Sequence, residues 1–296
     1  MACENIGICS EHTTLVFSKN GYDILECTRC HHRFCKMNRD EASHLEEVYA
    51  DSYFFEGKEG YPDYLQEKDI LVQHGKFYAG IAGKYAQPGK MLDVGAAAGF
   101  IMQGFKDQGW DCAGIEPNKS MVEYCRDQLH MSNEQGSIEN ATNENQFDLV
   151  TLIQVIGHFY DLDRALYNIS RSMKENGLLI IECWDRSSAL ARLLGKSWHE
   201  YSPPSVLHWF TPLTLDERIT RLGFSQVETG KPKKKIGFRH ALSLLATKYK
   251  LFTLISTPVE KILGHKDFFL AYPPLDIFYV VYKKDNMGTQ DGMAPP

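Results

Sequence analysis

Met91-Leu92-Asp93-Val94-Gly95-Ala96-Ala97-Ala98-Gly99 is the stretch that decides the fold of this 296-residue chain. An apolar run carrying one acid enters residues whose side chains are a hydrogen or a methyl, and an amphipathic segment follows at 100–108. That order predicts a buried strand, a sharp turn and a helix. Gly95 permits the turn, the alanines keep its wall flat, and the N–H groups at the helix start are donors for a ligand.

Outward from this turn, strands are predicted at 90–94, 112–115, 147–154 and 178–183, with a weaker one at 134–138. Helices are predicted at 100–108, 120–129, 162–173, 187–194 and 214–222, the last closed by Gly223. Strands alternating with helices specify an α/β fold, a Rossmann-like parallel sheet with helices on both faces. Two further strands, at 224–228 and 277–283, flank an insertion at about 231–276. The expected organisation is a Cys/His-rich unit at 1–40, a helical aromatic connector or lid at 41–86, the α/β domain at 87–284, and a disordered tail at 285–296.

With 32 basic and 38 acidic residues the net charge is −6, so no global positive field recruits nucleic acid or an anionic membrane. No apolar run approaches the roughly 20 residues needed to span a bilayer, and no secretory leader opens the chain, which points to a cytoplasmic protein. Five of eight cysteines fall in the first 35 residues, whereas Cys112, Cys125 and Cys183 are scattered in apolar surroundings. In a reducing compartment a cluster reads as a metal site and scattered cysteines as small buried hydrophobes.

Two carboxylates define the ligand at the turn. Glu116 ends the second strand, twenty-one residues after Gly95, where a carboxylate accepts ribose hydroxyls in nucleoside-binding folds. Asp93 lies two positions before the first glycine, where it would repel a pyrophosphate, and the Gly-x-Gly-x-x-Gly spacing of dinucleotide sites is absent. A nucleoside cofactor without phosphate fits both observations.

The series Leu-Asp-Val-Gly-Ala-Ala-Ala-Gly, Gly-Ile-Glu-Pro and Phe-Asp-Leu-Val resembles that of the class I S-adenosylmethionine-dependent methyltransferases, over roughly residues 48–228. The resemblance implies a seven-stranded sheet whose last strand, here within Phe278-Tyr279-Val280-Val281-Tyr282, is antiparallel. It implies that Gly95 to Gly99 contact the methionine part of the cofactor, with Asp93 on its amino group, Glu116 on ribose and Ser137-Ile138 on adenine. Gln154, at the end of the fourth strand, joins this set. Ala97 departs from the commonest middle glycine of the family pattern, and Gly157 stands where relatives often carry an acid, so a role attached to that acid is absent here.

Methyl transfer asks a protein to align a nucleophile and remove its proton when it is a hydroxyl. His158 follows the fourth strand at the carboxyl edge of the sheet, and His199, Tyr201 and His208 follow the fifth; these four are the catalytic candidates. Each has a packing or loop-bracing role as its alternative.

Cys9-x2-His12 and Cys27-x2-Cys30 bracket a short hairpin with the two-knuckle spacing of a zinc ribbon, and four such ligands would close a structural zinc site. Cys3, His31, His32 and Cys35 are alternative ligands. A zinc-ribbon-like segment before the catalytic domain also resembles a subgroup of methyltransferases. The expected partner is a small-molecule substrate, such as a sugar or secondary metabolite, accepting methyl on O, N or C. The alternatives are an RNA or protein methyltransferase docking through the ribbon and Lys231 to Lys235, and an inactive cofactor-binding scaffold. The sequence leaves the oligomeric state open.

Overall fold

The computed structural model describes residues 6–37, 40–55, 64–232, 234–237, 269–272 and 274–286. Its strands, in chain order, are β1 (Thr13–Lys19), β2 (Tyr22–Cys27), β3 (Arg33–Cys35), β4 (Lys90–Val94), β5 (Asp111–Glu116), β6 (Ser132–Gln135), β7 (Phe147–Ile153), β8 (Met173–Trp184), β9 (His208–Trp209), β10 (Phe224–Gly230), β11 (Lys234–Gly237), β12 (Phe269–Tyr272) and β13 (Ile277–Lys284).

Seven of them form one sheet in the order β10-β13-β8-β7-β4-β5-β6. β4 to β8 pair in parallel, and β13 is inserted antiparallel between β8 and β10, with Val281 opposite Ile180. The antiparallel last strand expected around 278–282 is therefore present. Alternate residues face opposite layers because the strand period is two. Leu92, Val150, Leu179 and Val280 pack beneath helices Leu162–Ser172 and Pro212–Thr220, through Leu166, Ile169, Leu215 and Ile219. Met91, Leu149, Ile180 and Val281 pack on the other side against helices Lys68–Ala82 and Phe100–Lys106, through Tyr78, Ala82, Ile101 and Phe105. Burial on both faces is why these strands read as continuous apolar runs.

Helix Lys68–Ala82 approaches helix Phe100–Lys106 backbone to backbone. A Cβ on Gly75 would lie 2.2 Å from the Ile101 carbonyl oxygen, and one on Gly104 would lie 2.4 Å from that of Val72. Only glycine at both positions allows this spacing, which brings the N-terminal half of the longer helix over the carboxyl edge of the sheet.

The N-terminal segment is stitched to the α/β body. β1, β2 and β3 form an antiparallel sheet whose fourth strand, β9, comes from the loop after β8, with Phe34 opposite His208. The described residues outside 232–274 make one compact unit, and those within 232–274 belong to a second. In the second, β11 and β12 pair antiparallel, Lys234 opposite Tyr272. Residues 238–268 of the expected insertion and the tail beyond residue 286 lie outside the described residues. Within the connector, helices Glu41–Val48, Asp51–Phe55 and Lys68–Ala82 form as the aromatic pattern suggests. The weak third strand is shifted to β6, because Ser137 caps a short 3-10 turn at Ile138–Asn140. Among the described residues no helix is long and apolar enough to cross a membrane.

Candidate active site

The turn after β4 closes over the end of β5: Gly95 and Ala96 N–H groups donate to the Ile115 carbonyl at 2.9 and 3.2 Å. Gly95, Ala97 and Gly99 all take left-handed φ values, +69°, +45° and +83°. Ala97 is a strained substitute at such a position. Glu116, 3% exposed, clamps the turn: one carboxylate oxygen accepts the Ala97 N–H at 3.0 Å and the other the Asn118 N–H at 2.9 Å. Asp93 is equally buried and accepts the Thr151 hydroxyl at 2.6 Å.

Burial pushes both acids up to about 7, Asp93 against the Thr151 hydrogen bond and with the help of the Glu116 charge, Glu116 against its two backbone donors. A cationic or hydroxyl-bearing ligand relieves this cost of desolvation, whereas a pyrophosphate would deepen it. This pair of acceptors therefore fits a nucleoside with an attached cation.

These residues line a pocket with about 1030 Å³ of open space, its solvent mouth included. Asp93, Gly95, Ala97, Glu116, Ser137, Ile138 and Gln154 all stand on its wall. Gly99, grouped with them from sequence, sits behind the wall: a Cβ there would meet the Cys125 sulfur at 2.5 Å, so its glycine serves packing under the turn. The connector supplies the opposite wall through Leu45, Tyr49, Tyr53, Phe54 and Tyr64. Asn118 ties that wall down, donating to the Tyr49 carbonyl at 2.9 Å and to Asp51 at 3.0 Å while its own side chain caps helix Lys119–Leu129.

Of the four catalytic candidates, the structure brings two to cavities. His158 lines the main pocket and a smaller one beside it, and its Nδ1 meets the Tyr49 hydroxyl at 3.1 Å. Burial lowers it to about 4. His208 lines the smaller cavity with both ring nitrogens engaged, Nε2 on the Phe159 carbonyl at 3.0 Å and Nδ1 on His32 at 3.1 Å. Burial, aided by the Arg218 charge, lowers it to about 3. Tyr201 is packed among Phe17, Trp198 and Trp209, and its hydroxyl accepts from Arg33. His199 is half exposed beside Trp184 and Glu200. Neither of these two lines the main pocket, because the loop after β8 turns them toward the N-terminal sheet.

A histidine and an acid on the pocket wall were not among the expected residues. His74, from helix Lys68–Ala82, and Glu139, whose carboxylate accepts from Ser137 Oγ at 2.5 Å and the Asp161 N–H at 2.6 Å, both line it. A histidine within an amphipathic helix carries no signal of its own until the helix is docked.

Residues 71–229, more than half of the chain, match the methyltransferase domain family. The chain belongs to that family. Its sheet is that of the class I S-adenosylmethionine-dependent methyltransferases. Among curated relatives it is 30% identical over 132 residues to the ubiquinone biosynthesis O-methyltransferase of Rickettsia prowazekii, covering 43% of this chain and 50% of that protein. It is 26% identical over 144 residues to the protein of the same name from Rhodopseudomonas palustris, covering 45% and 57%. The chain thus spans about half the length of the curated relatives it matches. Among solved structures it resembles YcgJ of Bacillus subtilis (TM-score 0.52, 15% identity, 72% of this chain and 99% of that one). It also resembles a methyltransferase of Archaeoglobus fulgidus (TM-score 0.51, 16%, 83% and 100%). At such identities the likeness is one of fold.

Beside the N-terminal sheet, the sulfurs of Cys9, Cys27 and Cys30 lie within 4.8 Å of one another, Cys9 to Cys30 at 3.3 Å. His12, expected as a fourth ligand, is not in this group; it spends its backbone on the turn, its N–H bonded to Cys9 and its carbonyl to Thr28. Cys3 lies outside the described residues.

Proposed function

We propose that the protein is an enzyme that transfers a methyl group from S-adenosylmethionine to a hydroxyl of a small molecule. The observation that carries this reading is the continuity of one pocket, from the turn at Gly95–Ala97 and the buried acids Asp93 and Glu116 to the aromatic wall of the connector. Asp93 would hold the ammonium of the methionine part, Glu116 the ribose hydroxyls, and Ser137 and Ile138 the adenine edge. Gln154, on the same wall, would stand beside the methionine part. The cofactor supplies a methyl group on a sulfonium; the chain supplies alignment and exclusion of water. Tyr49, Tyr53 and Tyr64 give a planar, mostly apolar acceptor a surface to stack on. The names of the curated relatives favour oxygen as the accepting atom.

Incubation with methyl-labelled cofactor and fractionated cell extract tests this. Label in a small hydroxyl compound is expected. Label confined to RNA or protein would replace the reading with a macromolecular one, and cofactor binding without transfer would leave a scaffold.

The N-terminal thiols support a second element of the reading, a structural zinc. A tetrahedral zinc with bonds of about 2.3 Å places its sulfurs about 3.8 Å apart, within the spread of Cys9, Cys27 and Cys30. Such a metal would hold β1 and β2 in register and, through β3, brace β9 beside the smaller cavity.

A further inference from the structure

At the pocket's edge a carboxylate with no exposure to solvent gathers three side chains. Glu182, 0% exposed near the end of β8, takes His74 Nε2 on one oxygen at 2.6 Å, the Tyr78 hydroxyl on the same oxygen, and Gln154 Nε2 on the other at 2.8 Å. Gln154 is held in a left-handed conformation, φ +61°, and its N–H also bonds to the Glu182 carbonyl at 2.8 Å. Strain of this kind persists only where the surroundings enforce it, and it gathers at functional sites.

A carboxylate that already accepts from Tyr78 and Gln154 acts as an acceptor toward His74 as well, so Nε2 carries the proton and Nδ1 keeps its lone pair. Histidine bound this way to a buried acid is oriented and readied to take a proton, since the anion stabilises the imidazolium that forms. His74 is 6% exposed and lines the same pocket as Asp93, Gly95 and Gln154. The other two cavity histidines have different partners. His158 meets a tyrosine hydroxyl, His208 a carbonyl and a second histidine, and burial makes both poor proton acceptors.

Resting on the hydroxyl-acceptor reading above, we propose that His74 is the general base of the transfer and that Glu182 is its positioning residue. The acceptor oxygen forms its bond to the methyl carbon as the carbon–sulfur bond breaks and its electron pair stays on sulfur. The hydroxyl proton passes to His74 Nδ1, giving an imidazolium paired with the Glu182 carboxylate, and leaves to solvent once the product departs. A role for His74 as a ligand for the methionine carboxylate is disfavoured by charge, because Glu182 would repel a second carboxylate beside the ring. Among the described residues, the titratable groups that touch His74 are Glu182 from β8 and Tyr78 from its own helix; Tyr279 from β13 packs on Tyr78, and Asp93 lines the same pocket.

The test uses the full chain with S-adenosylmethionine and 3,4-dihydroxybenzoate as the hydroxyl probe, comparing the wild type with His74→Asn and Glu182→Gln. His74→Asn is expected to lower kcat by about 10²–10⁴, to leave KM and S-adenosylhomocysteine affinity within about 3-fold, and to abolish the acidic limb of the pH–kcat profile. Nitrogen NMR of the His74 ring in the wild type is expected to show the Nε2–H tautomer, a state that Glu182→Gln depletes. This measurement needs no turnover and survives failure of the buried variant to fold. Unchanged kcat in His74→Asn, a parallel loss of S-adenosylhomocysteine affinity, or an Nδ1–H tautomer in the wild type would each overturn the base assignment. A wild type that binds S-adenosylhomocysteine but methylates neither the probe nor any small hydroxyl compound would instead overturn the hydroxyl-acceptor reading, and the base with it.

Discussion

Glu116 at the end of the second parallel strand accepts the backbone N–H of Ala97 at 3.0 Å, so a carboxylate that lines the pocket also fastens the turn after the first strand. Its other oxygen fastens Asn118, which in turn holds the connector through Tyr49 and Asp51. One buried acid thereby links three parts of the pocket.

Replacement of that acid should therefore be felt twice. Glu116→Ala leaves two buried N–H groups unpaired and removes the proposed ribose acceptor. The expected losses are about 1–3 kcal/mol of stability and about 10–100-fold in S-adenosylhomocysteine affinity. Thermal melts and calorimetric titration measure them; a variant with wild-type affinity would show that the ribose lies elsewhere.

Affinity should depend on pH in a stated direction. Asp93 and Glu116 sit at about 7 in the free protein, raised by burial, and a ligand that offers an ammonium and hydroxyls favours their ionised forms. Binding then lowers both values, releases protons near and below pH 7, and weakens as pH falls from 7 toward 5. The limit for one fully shifted group is about tenfold per pH unit. Calorimetry at pH 6.5 in two buffers of different ionisation enthalpy counts the protons, and uptake in place of release refutes the assignment. By the same linkage, the raised acids cost the free protein stability as pH climbs from about 4 to about 7, so the ligand's stabilising effect should be larger at pH 8 than at pH 6.

Gly104→Ala should be poorly tolerated although alanine is the better helix former. Its Cβ would lie 2.4 Å from the Val72 carbonyl oxygen and 2.6 Å from the Lys76 nitrogen, and backbone cannot step aside as a side chain can. A loss of about 1–3 kcal/mol is expected. Because the displaced helix carries His74, turnover should fall more than S-adenosylhomocysteine affinity does. Denaturant melts and steady-state kinetics separate the two effects, and an alanine variant as stable as the wild type would mean the helices sit further apart.

Untagged protein should carry about one zinc per chain, held by Cys9, Cys27 and Cys30 with one further ligand to complete the tetrahedron. Cys27→Ser should remove it and lower the melting temperature of the N-terminal sheet, with S-adenosylhomocysteine affinity retained because the pocket walls come from other elements. Elemental analysis gives the stoichiometry; a ratio near zero in the wild type sinks the metal reading.

Much was legible in the sequence because its causes are local. The run from Met91 to Gly99 states strand and turn through side-chain size and backbone freedom, and the carboxylate of Glu116 is placed by strand length alone. The alternation of apolar strands with amphipathic helices fixed the parallel sheet, since burial on both faces leaves no other reading. The spacing of Cys27 and Cys30 is likewise local, and these two do come together with Cys9.

What the tertiary structure decided depends on pairings across long stretches of chain. His74 and Glu182 are 108 positions apart and meet because two glycines let one helix approach another and the parallel order sets β8 beside β7. Tyr201 and His199 left the pocket because β9 joined the N-terminal sheet, a hydrogen-bonding choice that no periodicity in the chain expresses. Sequence by itself determined the fold and the turn from Met91 to Gly99, whose residues are neighbours in the chain. The proton-handling groups became visible only when packing brought a buried acid and a helix histidine within 2.6 Å, because desolvation and pairing are properties of the folded interior.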